Sequence, residues 1–140
     1  MFTLHPQLDQ DCEIIGDYPL SRLLLLNDRQ YPWVILVPRR ENISEIYQLS
    51  ESDQLQLQKE SSNVLAAMAK HFSADKMNVA ALGNVVPQLH IHHIARFKDD
   101  PAWPKPVWGV VPAKAYTKTE IDRLQKDLHQ LFFSGEFAVG

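Results

Sequence analysis

The feature that most constrains the fold is the segment 87–94, which reads Pro-Gln-Leu-His-Ile-His-His-Ile and holds three of the chain's six histidines. Successive side chains of a strand point to opposite faces, so an extended segment places Gln88, His90 and His92 on one face. These polar groups then stand in a row, each about 6–7 Å from the next. A half-buried strand ordinarily carries apolar or charged residues at such positions. The row therefore predicts a site of chemistry.

The opposite face of the same segment carries Leu89, Ile91 and His93. Because this face is mainly apolar, we expect it to pack against a core. His93 is then a packed histidine whose imidazole hydrogen-bonds to a helix on that side or to a subunit interface. The strand thus predicts chemistry on one side of a sheet and structural packing on the other.

Composition and charge narrow the class of protein. The 140 residues fit one domain spanning 1–140. A net charge of −3 and a pI near 6.0 do not favour nucleic acid or an acidic membrane as a partner. The N-terminus lacks a signal-peptide pattern, and no apolar run reaches the ~20 residues that span a bilayer. Cys12 is the only cysteine, which excludes an internal disulfide and favours a cytoplasmic protein.

The order of predicted elements is strands, helix, strands and helix, which indicates an α+β domain. The apolar runs 21–26 and 33–37 do not alternate with polar residues, so both faces of these strands should be covered. Capping patterns at Ser50 and Thr117 mark the starts of the two helices. The predicted elements are strands over 12–16, 21–26, 33–37 and 77–82, a helix over 52–72, the histidine strand ending at Phe97, a loop over 99–112 and a helix from Thr117.

Three interpretations of the polar row remain open from the residues alone. In the first, the imidazoles are structural and each is satisfied by a hydrogen bond. In the second, His90 and His92 bind a metal, although a catalytic zinc or iron site usually needs a third ligand and none stands at a familiar spacing. In the third, a neutral imidazole attacks phosphorus and forms a covalent intermediate. The third needs no cofactor and fits the row as it stands.

Residues 88–94 resemble the signature of the histidine triad (HIT) family, His-φ-His-φ-His-φ-φ with φ an apolar residue. The resemblance implies that His90, at the central position, is the nucleophile that attacks a nucleotide α-phosphate. It also implies that His92 assists departure of the leaving group. Gln88 stands where the first histidine is usual. Its amide can hydrogen-bond phosphate or backbone but cannot titrate, so we expect activity to survive with an altered substrate preference.

Other residues extend the resemblance over the range 12–97. Asn27 matches a residue that binds the ribose hydroxyls, although an asparagine there also suits a plain turn. Asn84 matches a phosphate-binding glutamine, although an asparagine there also suits a plain turn. Val85 replaces the hydroxyl residue that usually follows. The apolar residues expected to take the base are Ile14, Ile15 and Leu26.

The resemblance implies a fold and a function together. The fold is HIT-like, with about five mainly antiparallel strands, a long helix packed on the sheet and a C-terminal helix. The expected function is a nucleotide hydrolase or nucleotidyl transferase of the bacterial diadenosine-polyphosphate hydrolase-like branch, of phosphohydrolase or phosphoramidase type. It is expected to cleave a phosphoanhydride, phosphoramidate or related bond at a nucleoside α-phosphate through a covalent nucleotidyl-histidine intermediate. Its expected partners are a nucleotide or dinucleoside polyphosphate and a second copy of the chain, joined sheet edge to sheet edge. The alternative is a purine-nucleotide-binding module with little catalytic activity.

Two tryptophans fall in the predicted loop over 99–112. We expect Trp103 and Trp108 to anchor this loop to the core, with each indole N–H satisfied. The alternative is that one of them covers a purine or reaches a neighbouring subunit.

Overall fold

The computed structural model describes residues 1–138, so the last two residues of the predicted domain lie outside the described part. In this part of the chain the sheet has five strands, and three α-helices and two short 3-10 helices (Ile46–Gln48 and Gly135–Phe137) accompany it. The strands are β1 (Cys12–Asp17), β2 (Ser21–Leu26), β3 (Trp33–Pro38), β4 (Lys76–Ala80) and β5 (Ile91–Arg96), and the helices are α1 (Pro6–Asp11), α2 (Glu51–Phe72) and α3 (Lys118–Phe133). No helix in the described part is both long and apolar enough to cross a membrane.

The strand order across the sheet is β1-β2-β3-β5-β4, and every neighbouring pair is antiparallel. The predicted α+β fold with five antiparallel strands is therefore confirmed. The histidine strand is shorter than expected, because pairing begins at Ile91. Two features keep the preceding residues out of the ladder. Pro87 has no N–H to give, and the Leu89 N–H donates to the Ile43 carbonyl at 2.9 Å instead of to a strand.

The sheet is covered on both faces, as the apolar runs of β2 and β3 predicted. We call the side that packs against α2 and α3 the helix face and the other side the open face. The helix face buries residues from four strands and both long helices, among them Leu23, Val34, Ile91, Val64, Met68 and Phe132. The open face buries a separate cluster that includes Leu8, Leu24, Trp33, Ile35, Ile94 and Val107.

Both long helices begin where their capping residues predict. The Ser50 hydroxyl accepts from the Asp53 N–H at 3.2 Å, and Thr117 forms a reciprocal capping box with Glu120. Helix α1 was not predicted. It is a six-residue helix with Pro6 at its start and the His5 imidazole accepting from the Gln7 N–H at 3.0 Å. A helix this short shows too little periodicity to be recognised from sequence.

His93 lies on the helix face of β5 and is completely buried. Its Nε2 is 2.7 Å from the Ser61 hydroxyl on α2, and its Nδ1 is 3.3 Å from the Val34 carbonyl. The prediction of a packed histidine bonded to a helix is thus confirmed. Burial lowers the pKa of His93 to about 4, so its ring is neutral at physiological pH.

A buried ion pair holds the loop that follows β5. The Arg96 guanidinium, 1% exposed, donates to both carboxylate oxygens of Asp100 at 2.8 and 3.1 Å. The same carboxylate accepts from the backbone N–H groups of Phe97, Ala102 and Trp103. Segment 99–112 contains turns but neither strand nor helix, as predicted. The pair therefore ties an irregular segment to the end of β5.

Two opposing effects set the pKa of Asp100. Burial alone would raise the pKa of this carboxyl, but the hydrogen bonds from Arg96 and from three backbone N–H groups outweigh burial and lower it to about 2. In the unfolded chain the value is about 3.9. The ionised carboxylate therefore contributes stability above that value, and the contribution is lost as pH falls towards the folded-state pKa.

We predict that Asp100→Asn lowers the free energy of unfolding by about 3–5 kcal/mol at pH 7, because it leaves the Arg96 charge buried without its partner. The difference from wild type should shrink as pH falls from about 4 towards 2, where the wild-type carboxylate also becomes protonated. Urea denaturation at several pH values measures both effects. Asp122→Asn, which breaks the exposed pair with Lys118, is the control and should behave as wild type. Equal destabilisation of the two variants at pH 7 would contradict this account.

Candidate active site

A cavity of about 760 Å³ lies on the open face of the sheet, beside the start of β5. It collects residues from β2, β3, β5, α1 and the connections 81–90 and 99–113. Five of the site residues predicted from sequence line it: His90, His92, Asn84, Asn27 and Leu26. Three others do not, namely Gln88, Ile14 and Ile15.

His90 has its proton position set by the backbone. Its Nδ1 is 2.6 Å from the Gln88 carbonyl oxygen, which can only accept a hydrogen bond. Nδ1 must therefore carry the proton, and in the neutral ring Nε2 keeps its lone pair. The ring is only 7% exposed, and it lines the cavity. His90 thus has the form that a nitrogen nucleophile requires.

His92 has the opposite arrangement. Its Nδ1 lies 2.9 Å from the indole Nε1 of Trp33, which can only donate. Nδ1 must therefore accept, and in the neutral ring the proton sits on Nε2. Burial lowers the pKa of His92 to about 3, and repulsion from His90 and His93 adds to the effect. His92 is thus a neutral hydrogen-bond donor at physiological pH.

The two imidazoles form a complementary pair. Their ring centroids are 4.9 Å apart and their planes lie at 75°. His90 presents a lone pair and His92 presents an N–H, so one ring can attack an electrophile while the other hydrogen-bonds to an oxygen near it. This separation of roles follows from one backbone carbonyl and one indole.

Gln88 hydrogen-bonds to the backbone, one of the two uses expected of its amide. Its side-chain oxygen accepts from the His5 N–H at 2.8 Å, and its side-chain nitrogen donates to the Thr3 carbonyl at 2.9 Å. The amide therefore clamps the N-terminal segment just ahead of α1. Gln88 does not line this cavity, but it lines a smaller one of about 330 Å³ together with His90.

Ile14 and Ile15 were expected at the base, and the structure places neither in the cavity. Ile15 is 5% exposed and belongs to the helix-face core, whereas Ile14 is 41% exposed. Consecutive strand residues point to opposite faces, so the two could not both have faced one cleft. A register shift between Ile14 and Gly16 further disturbs the alternation along β1.

Asn84 and Asn27 line the cavity at two places, and each also has a structural surrounding. Asn84 follows Gly83, whose φ of 75° lies in the left-handed region that favours glycine. The Asn27 side-chain oxygen accepts from the Tyr116 N–H at 2.8 Å, which ties the end of β2 to the chain before α3. Both the turn and the site interpretations of these residues therefore remain compatible with the geometry.

Sequence reasoning missed part of the cavity wall. Helix α1 contributes Gln7, Leu8, Gln10 and Asp11, and Asp28 adjoins Asn27. Nothing in the sequence marked these residues, since their proximity depends on a helix too short to predict. A partial signal existed for Trp33, which lies on the strand next to β5 in the antiparallel sheet, where a large ring reaches diagonally across to His92.

The two loop tryptophans have different surroundings. Trp103 packs against the Arg96 guanidinium with 5.8 Å between that group and the ring centre, and it anchors the loop as expected. Trp108 lines the cavity at 38% exposure, with its ring centroid 5.1 Å from that of His92. Trp108 is therefore placed where the alternative, a tryptophan that covers a purine, is possible.

Metal binding has no arranged ligand set in the structure. Across residues 1–138, no group of three or more His, Cys, Asp or Glu side chains is placed to hold a metal ion. His90 and His92 instead use their Nδ1 atoms in hydrogen bonds to the Gln88 carbonyl and the Trp33 indole.

Comparison with known proteins gives a consistent result. The HIT domain family model matches residues 7–99. A histidine triad protein from Marinobacter aquaeolei VT8 is 50% identical over 94% of this chain and 96% of its own, with a TM-score of 0.91. A histidine triad protein from Bradyrhizobium japonicum is 47% identical over 92% of this chain and 96% of its own, with a TM-score of 0.89. A histidine triad protein from Sinorhizobium meliloti 1021 is 44% identical over 89% of this chain and 92% of its own, with a TM-score of 0.86.

The comparison with curated proteins found no match. The family model covers more than half of the chain, and the three structures combine high identity with near-complete coverage. The chain belongs to the histidine triad family.

Proposed function

We propose that the protein is a nucleotide hydrolase or nucleotidyl transferase that cleaves at a nucleoside α-phosphate through a covalent nucleotidyl-His90 intermediate. The observation that carries the proposal is the 2.6 Å hydrogen bond from His90 Nδ1 to the Gln88 carbonyl. It leaves the Nε2 lone pair of a cavity-lining ring free for attack. Family membership supports nucleotide chemistry of this general kind.

The reaction then has two balanced steps. In the first, the His90 Nε2 lone pair forms a bond to the α-phosphorus while the bond to the leaving group breaks and its electron pair departs with that group. His92 Nε2–H hydrogen-bonds to the leaving atom or to a phosphate oxygen. In the second, water attacks the phosphorus and loses a proton to solvent, the nitrogen–phosphorus bond breaks with its electron pair returning to His90 Nε2, and the nucleoside monophosphate is released. A second nucleophile in place of water makes the protein a transferase.

The cavity offers groups for the remainder of a nucleotide. Asn84 is proposed to contact phosphate oxygens, and Asn27 to contact the ribose hydroxyls. Leu26, together with Leu8 of α1, supplies an apolar surface for the base. The volume of about 760 Å³ lies within the range of sites that bind molecules of this size.

Substrate and location complete the proposal. We propose a dinucleoside polyphosphate, as in the diadenosine-polyphosphate hydrolase-like branch that the sequence resembles. A cytoplasmic location is supported by the single, buried and unpaired Cys12.

A second candidate function is a purine-nucleotide-binding module with little catalysis. Two observations favour it. The Gln88 amide bonds to Thr3 and His5 and lies outside the larger cavity, so it is less available to a phosphate there. Val85 replaces a hydroxyl residue and is 89% exposed, so it contributes no polar contact. Both losses remove groups that would stabilise a transition state.

We predict that wild-type protein hydrolyses diadenosine polyphosphates to AMP-containing products in excess chelator, and that His90→Ala lowers kcat by at least about 10³-fold, as expected for loss of a nucleophile. Liquid chromatography of the products measures this. His71→Ala is the control, because this exposed histidine lies at the end of α2 and away from the cavity. AMP binding by wild type without turnover would favour the binding module, and turnover lost on chelation would contradict metal-independent catalysis.

We also propose a homodimer joined through β4, which forms one edge of the sheet and therefore leaves backbone groups unpaired. Val79 on this strand is 51% exposed. Nearby, a smaller cavity of about 330 Å³ includes His90 together with Tyr47 and Leu82, which are 77% and 50% exposed. An apolar edge beside the nucleophile suits a second copy of the chain.

Val79→Asp should convert the dimer to monomer, because it places a charge in an apolar interface. Light scattering coupled to gel filtration measures the mass. Val111→Asp introduces the same charge at another exposed apolar residue and should leave the mass unchanged. A wild-type monomer at micromolar concentration, or dissociation by both variants alike, would contradict pairing through β4.

A further inference from the structure

One buried contact of the site has a consequence for the type of substrate. The Trp33 indole N–H donates to His92 Nδ1 at 2.9 Å. The two rings also meet edge to face, with centroids 5.6 Å apart. Trp33 is 6% exposed and His92 is 7% exposed, so water has little access to replace this bond.

The contact forbids a protonated His92 in this geometry. An imidazolium carries a proton on both ring nitrogens, so its Nδ1–H would face the Trp33 N–H with no acceptor between them. Two donors facing each other in a buried site are strongly unfavourable, because neither can be satisfied. The ring can become a cation only if the hydrogen bond breaks and one of the packed rings moves.

We propose that Trp33 is a positioning residue that holds His92 as a neutral Nε2–H donor and thereby makes the site selective for leaving groups that depart as anions. This inference rests on the proposed function and names the chemical class of its substrate. Phosphoanhydrides fit this class, and phosphoramidates, whose leaving amine needs a proton, do not.

The bond changes show why the leaving atom matters. When His90 Nε2 attacks a phosphoanhydride, the phosphorus–oxygen bond breaks and its electron pair stays on the bridging oxygen. That oxygen leaves as a phosphate anion, for which a hydrogen bond from His92 is sufficient. When the phosphorus–nitrogen bond of a phosphoramidate breaks, the electron pair goes to nitrogen, which must gain a proton to leave as an amine. A neutral His92 could supply that proton only by becoming an imidazolate.

Trp108 provides a matched comparison within the same cluster. Its ring lies 5.1 Å from His92 and 5.6 Å from Trp33, both edge to face. It makes apolar contact with His92, whereas the hydrogen bond to Nδ1 comes from Trp33. Replacing Trp108 by Phe therefore alters packing at His92 without removing the donor.

Two measurements test the inference. Two-bond proton–nitrogen NMR spectra of ¹⁵N-histidine-labelled protein report which nitrogen of His92 is protonated. We expect Nε2 alone in wild type at pH 7, and Nδ1 protonation to appear in Trp33→Phe. The second measurement is the ratio of kcat/KM for diadenosine tetraphosphate to kcat/KM for an AMP phosphoramidate. Trp33→Phe should lower this ratio about tenfold, the effect of one hydrogen bond, and Trp108→Phe should leave both the ratio and the protonation pattern unchanged.

Each result decides a different point. A wild-type His92 protonated on Nδ1 or on both nitrogens overturns the inference, and this spectrum needs no variant to fold. An unchanged ratio in a folded Trp33→Phe, or a wild type that prefers the phosphoramidate, also overturns it. If wild type turns over neither substrate while His92 carries its proton on Nε2, the proposed function fails but the role of Trp33 in fixing the ring is retained.

Discussion

The polar side chains of β5 are all buried, and each therefore requires a hydrogen-bond partner. His93 finds Ser61 on the helix face, His92 finds Trp33 on the open face, and Arg96 finds Asp100 at the end of the strand. These three contacts tie α2, β3 and the loop after β5 to β5. The site forms on the open face, where the loop brings Trp108 against His92.

Gln88, the residue that departs from the family signature, has two structural roles. The carbonyl of Gln88 fixes the proton of His90, and its side chain holds Thr3 and His5. The clamped segment leads into α1, which forms part of the cavity wall. Gln88, which stands where the signature has a histidine, thus links His90 to the part of the cavity near α1 that is proposed to bind the base. Loss of a titratable group here is compatible with catalysis, because the proton positions of His90 and His92 are set by other groups.

The sequence predicted features that depend on residues close together in the chain, and it missed features that depend on contacts between distant residues. Strands and capped helices follow from local patterns, and so do the unlike faces of β5, because alternation and capping act over a few residues. The hydrogen-bond partner of His92 could not be identified from the sequence, because Trp33 comes close to His92 only through the register of β3 against β5. The role of Gln88 depends on chain more than eighty residues away. Ile14 and Ile15 were predicted at one cleft, but Ile15 lies in the helix-face core and Ile14 is exposed, because neighbouring residues of β1 point to opposite faces.

The most direct test of the account is to trap the intermediate. Wild-type protein is mixed with excess diadenosine tetraphosphate, quenched with denaturant at alkaline pH within the first turnover, and digested for mass spectrometry. The account predicts one AMP bound through phosphorus to His90, on the tryptic peptide that spans 77–96. AMP bound to His92 or to any other residue, or product released in the first turnover with no AMP-bearing peptide, would contradict it.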